Sequence, residues 1–168
     1  MHQSILLILS TLFVISCTKK SDNEILLGAY GSSTGATASF GINQLRGTQM
    51  AVDEANSAGG IDGKKIKLIN YDNKSDNDET LAVVNRLITQ DKVVAIVGEF
   101  TSGRSKIGGQ IAQENKIPML SPGATNPDVA KIGNYIFRSC FIDPFQGYVM
   151  AKFMTENLKL KKAAVLVS

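Results

Sequence analysis

Short apolar runs alternate with amphipathic stretches along most of this 168-residue chain, and that alternation restricts the fold more than any other feature. Such runs, bounded by turn residues, read as buried strands, and the amphipathic stretches between them as crossover helices. The strand-like runs are Ile25 to Tyr30, Lys65 to Tyr71, Val93 to Val97 and Pro118 to Ser121. Leu45, Thr48, Val52 and Ala55 recur at helical spacing and stop at Gly59-Gly60, which suits a helix C-terminus. Leu81, Val84 and Ile88 make a second helical stripe, and a third helix begins near Ser102 and buries Ile107 and Ile111. The expected architecture is α/β, a doubly wound parallel sheet with helices on its faces.

The second helix starts after Asp76 with Glu79 three places on, so the acidic cluster Asp72 to Glu79 reads as a loop and N-cap. A calcium loop is disfavoured, because the ligand spacing fails and no glycine occupies the required turn. Residues Ile132 to Phe145 cross into a new unit. A further amphipathic helix follows, with Phe145, Val149, Met150 and Phe153 on one side, and then a strand-like run from Ala163 to Val167. The expected division is one complete lobe over 25–140 and, over 141–168, the crossover and first helix and strand of an incomplete second lobe.

At the N-terminus, Ile5 to Ile15 form an apolar run broken only by Ser10 and Thr11, too short for a permanent membrane span. It closes on Val14-Ile15-Ser16-Cys17, which resembles the lipobox of bacterial lipoproteins. That resemblance implies a signal peptide over 1–16, lipidation of Cys17 and a polar tether over 17–24. The protein is then exported and lipid-anchored to a bacterial membrane, facing the periplasm or the cell exterior.

All 18 Lys and Arg and all 15 Asp and Glu follow Cys17, and they give a formal charge of +3 with no basic run, so nothing calls for nucleic acid. The one histidine, His2, falls within the expected signal peptide. The remaining chain then has no imidazole for general base catalysis or a metal site, which excludes many enzymes. Cys140, left without a partner thiol, reads as a small buried hydrophobe.

In an open parallel sheet, ligands bind outside the carboxyl ends of the strands. Those ends carry the loops Gly31 to Gly41, Gly98 to Ser105 and Ser121 to Pro127, all rich in Gly, Ser and Thr. Thr101-Ser102-Gly103 leads into a helix N-terminus, which favours an anionic group, either carboxylate or phosphate. Phosphate motifs are weak, since Gly28, Gly31 and Gly35 lack the dinucleotide spacing and no glycine-rich loop ends in Gly-Lys-Ser or Gly-Lys-Thr. Arg104 and Lys106 leave a phosphate open but read more readily as solvated helix-face charges. Activation of Ser102 as a hydrolase nucleophile lacks both a histidine and the Gly-x-Ser-x-Gly context.

Three segments are more specific: Leu45-Arg46-Gly47, Asn56-Ser57-Ala58-Gly59-Gly60-Ile61-Asp62-Gly63 and Ser121-Pro122-Gly123-Ala124-Thr125-Asn126-Pro127. Together they resemble the leucine/isoleucine/valine-binding proteins of ABC importers, in which two α/β lobes close over an amino acid. The resemblance runs from about Ile25 to Ser168. It implies that the hydroxyl and amide of Ser102 and of Thr125 hold the ligand carboxylate. The Gly123 carbonyl accepts from the ligand ammonium with Ala124 beside it, and Phe40 and Phe100 line the side-chain pocket. Where some members place a cysteine pair, this chain has Ser75 and Thr101. The implied function is non-enzymatic and needs no cofactor or metal: a solute-binding lipoprotein that captures a branched-chain or other small amino acid, or a related carboxylate, for a membrane permease. The alternative is a sensing module of the same fold that signals to a partner protein.

Overall fold

The computed structural model describes residues 23–166. The expected signal peptide, the Cys17 lipidation point and most of the polar tether lie outside them. Strands β1 (Glu24–Gly31), β2 (Lys65–Asp72), β3 (Ala95–Val97), β4 (Met119–Ser121) and β5 (Ile136–Arg138) form one parallel sheet in the order β2-β1-β3-β4-β5. Helix α1 (Ala38–Ser57) joins β1 to β2, α2 (Asn77–Thr89) joins β2 to β3, and α3 (Ser102–Glu114) joins β3 to β4. Helix α4 (Asp143–Lys152) follows β5. The chain steps outward from β1 to β2 and then crosses back over β1 to β3. Right-handed crossovers therefore send α1 to one face and α2 and α3 to the other. The doubly wound α/β expectation holds, and the direction of winding reverses between β1 and β3.

The main core lies between the sheet and the α2–α3 layer, where Tyr30, Val84, Leu87, Ile96, Ala112 and Met119 are all buried. Burial of the valine, leucine, isoleucine and methionine side chains among these is worth roughly 1.5–3 kcal/mol each. Helix α3 comes close enough that a Cβ on Gly108 would sit 2.1 Å from the Tyr30 hydroxyl oxygen, so glycine is what permits this approach. On the opposite face α1 packs on β1 and β2. Leu120 and Phe137, paired in register on β4 and β5, stay exposed beside it.

Several local expectations hold. Asp76 Oδ1 accepts from the amides of Asp78 and Glu79 at 2.8 and 2.9 Å and so caps α2. The Gly60 amide returns to the Ala55 carbonyl at 2.8 Å to close α1. Others are corrected. Leu81 is 43% exposed, because the buried stripe of α2 is centred one position away, on Thr80, Val83, Val84, Leu87 and Ile88. Ile107 is only half-buried, while Ile111 lies in the core. The stretch read as a crossover contains β5, which extends the sheet beside β4. Residues 163–166 form no strand, and Val165 is 84% exposed. The sheet stops at β5 among the described residues, and a strand without a hydrogen-bonded neighbour is not stable. Phe145, Val149 and Met150 do share one side of α4, lining a single surface depression, and with Phe153 they are exposed. Among the described residues, α4 packs chiefly on the π-helical turn Phe153–Asn157 that continues it.

Candidate functional site

The carboxyl ends of β1, β3 and β4 open onto one edge of the sheet, at the point where the winding reverses. Phe40, in the first turn of α1, stacks on Phe100 from the β3–α3 loop, with ring centroids 4.8 Å apart and planes 14° apart. Gly123, in the loop after β4, lies against the same ring, and a Cβ there would come within 2.4 Å of Phe100. The stack is half exposed on the Phe40 side and forms an apolar wall.

Ser102 is the first residue of α3, and no side chain caps that helix. Its Oγ accepts from the Asn126 amide at 3.2 Å, which draws the β4 loop toward the helix start. Among the described residues the Ser102 hydroxyl donates to no partner, so its proton stays available to an acceptor at the mouth. The Thr125 hydroxyl donates to Asp143 Oδ2 at 3.1 Å. Ala124 is fully buried, with its amide on Ser121 Oγ and its carbonyl accepting from Arg138 Nη1 at 3.0 Å. It fixes the loop from below.

The loops rest on buried polar groups. Asn73 Nδ2 donates to the Thr80 hydroxyl at 3.0 Å, while its Oδ1 lies 2.9 Å from Ser32 Oγ. Ser105 and Ser121 hydroxyls both donate to the Glu99 carbonyl, at 2.8 and 2.6 Å. Partial burial opposes the charged form of Asp72, but the Thr34 hydroxyl and the amides of Lys74, Ser33 and Thr34 outweigh it and hold the pKa below the ordinary carboxylate range. Burial, reinforced by the nearby Glu99 charge, pushes the Tyr30 phenol far above its ordinary range. Tyr30 is therefore a neutral core side chain at the back of the site.

Two sequence readings change. Arg104 is not a solvated charge: its side chain is 13% exposed and its Nε pairs with the 2%-exposed Glu99 carboxylate at 3.0 Å. Lys106 behaves as expected, 40% exposed and 3.8 Å from Asp128. Cys140 is only partly buried, and its thiol donates to the Ala124 carbonyl at 3.0 Å instead of merely filling space. Glu99 went unnoticed in the sequence. The available signal was its place at the end of a buried strand run, five residues before an arginine on the following helix.

These loops and the reversal of winding define a doubly wound α/β lobe with its mouth at the switch point. A sequence model of the periplasmic binding protein family matches residues 24–168. The chain belongs to that family. It is 40% identical over 144 residues to the amino acid binding protein of Pseudomonas aeruginosa, covering 85% of this chain and 38% of that one. It is 37% identical over 144 residues to Leu/Ile/Val-binding protein homolog 2 of Brucella abortus, again 85% of this chain and 38% of the relative. The isoleucine complex of the Streptococcus pneumoniae protein LivJ superposes with a TM-score of 0.75 at 39% identity, over 81% of this chain and 39% of LivJ. The chain thus spans about two-fifths of the length of these relatives.

Proposed function

We propose that this chain is the first lobe of an extracytoplasmic receptor that captures a small amino acid, branched-chain or closely related, for an ABC importer. In this reading 25–140 form the lobe and 141–168 begin the second, while Cys17 carries a lipid that keeps the receptor near its permease. The supporting observation is the convergence of Ser102, Gly123, Thr125 and the Phe40–Phe100 stack on one edge of the sheet. A zwitterion with an aliphatic tail matches those chemistries in turn. Ser102, with the uncapped amides of α3, and Thr125 take the carboxylate, the Gly123 carbonyl takes the ammonium, and the stacked rings cover the tail. The names of the relatives point to the same ligand class.

The test is calorimetric titration of an amino-acid panel into the protein encoded by the complete gene. Binding of one or more aliphatic amino acids is expected, and Ser102→Ala should weaken it about tenfold or more, the loss of a hydrogen bond to a charged group. Binding indifferent to Ser102→Ala would remove this site from consideration. Radiolabelled palmitate incorporated into the wild-type protein and not into Cys17→Ser checks the anchor.

A further inference from the structure

One largely buried guanidinium gathers the loops that shape the mouth. Arg104 Nε donates to Glu99 Oε1 at 3.0 Å, Nη1 to the Ser75 carbonyl at 3.2 Å, and Nη2 to the Thr37 hydroxyl at 2.6 Å. Glu99 belongs to the β3–α3 loop, Ser75 to the β2–α2 loop, and Thr37 to the β1–α1 loop. The carboxylate at the centre is in turn held from both sides. Ser32 Oγ donates to its Oε1 at 3.0 Å, and the Thr101 amide and hydroxyl donate to its Oε2, the amide at 3.1 Å.

Ser102 lies between Thr101 and Arg104, and both of these are tied to the same buried carboxylate. The Arg104 carbonyl also accepts from the Tyr30 hydroxyl at 3.4 Å, which links the first turn of α3 to the core. The backbone at Ser102 and the first free amides of α3 are therefore held before any ligand arrives, and the Asn126 amide holds the Ser102 Oγ itself. Preorganisation of this kind raises affinity by removing the ordering cost of binding.

We propose that Arg104 is a positioning residue for carboxylate capture: with Glu99 as its anchor, it holds the β1–α1, β2–α2 and β3–α3 loops in the geometry that aims Ser102 at the ligand. It does not itself hold the ligand. This inference rests on the amino-acid reading above. Lysine keeps a positive charge beside Glu99, so the carboxylate is not left unpaired, but it lacks the planar fork that reaches Ser75 and Thr37 together. Arg104→Lys thus separates positioning from charge balance. Thr37→Val removes one acceptor of the fork and leaves the ion pair untouched.

The readout is selectivity for carboxylate. In the protein encoded by the complete gene, affinity is measured for the tightest amino acid of the panel and, by displacement, for its carboxamide. Unliganded melting temperatures are recorded alongside. In Arg104→Lys the ratio of amino-acid to carboxamide affinity should fall about tenfold, with the carboxamide affinity changed less than about twofold, since one aligned hydrogen bond to a charge is lost. Thr37→Val should lower the ratio about threefold and carries the test if Arg104→Lys does not fold. An unchanged ratio, including an equal loss of affinity for both ligands, overturns the proposal alone. A wild-type protein that binds no member of the panel overturns the amino-acid reading and the proposal with it.

Discussion

The Thr125 hydroxyl donates to the Asp143 carboxylate at 3.1 Å and so joins the loop after β4 to the first turn of α4. That hydroxyl has a single proton, so in the unliganded lobe it steadies the segment that leads out of the lobe, and it must turn from Asp143 to serve the ligand carboxylate assigned to it. Thr125→Val should both weaken amino-acid binding and speed amide exchange in the first turn of α4, by up to about tenfold, the scale of one such hydrogen bond. Thr125→Ser should keep both properties. Hydrogen exchange followed by mass spectrometry reads the difference.

Asp72 supports stability in a pH-dependent way. Its folded-state pKa lies below the unfolded value of roughly 3.9, so its contribution is present above that value and is lost as pH falls through the folded pKa. Asp72→Asn should lower the melting temperature at neutral pH and flatten the decline of stability in acid. Melting curves at a series of pH values between about 2 and 7 test this, and parallel wild-type and variant profiles would contradict it.

Gly108→Ala places a methyl group against the fully buried Tyr30, which has no room to retreat. Overpacking at such a contact costs about 1–3 kcal/mol. The expected result is a lower melting temperature with the Ser102 site chemically unaltered, whereas Gly103→Ala, where a Cβ meets nothing within 4 Å, should cost much less.

Phe100 touches both Phe40 and Gly123, so Phe100→Ala removes the stack and the backing of the loop after β4. The loss should fall on large aliphatic ligands, about tenfold in dissociation constant for a leucine-sized side chain and little for glycine. Competitive titration of leucine against glycine measures that selectivity.

The long elements were legible because their periodicity repeats. Strands β1 and β2 pair over eight residues each, and the helix start at Asp76 carries local cap chemistry that survives in the fold. Strand β5 is three residues long, too few for a pattern, and only its pairing with β4 makes it a strand. Ala163 to Leu166 show the converse, an apolar run whose strand character depends on neighbours it does not have among the described residues. The three loops were legible from composition and from the rule for parallel sheets. Arg104 was misread because a charge on a helix surface and a charge folded back over its own N-terminus look identical in one dimension.

The Glu99–Arg104 pair has a further consequence for how the fold is acquired. Cys140 is the only cysteine among the described residues, so the ties between the mouth loops consist of an ion pair, hydroxyls and backbone groups. Nothing in them waits for an oxidant. In the exported receptor proposed above, these ties impose no oxidative delay on the lobe, and the time available for its translocation follows from the slow, non-local assembly of its parallel sheet.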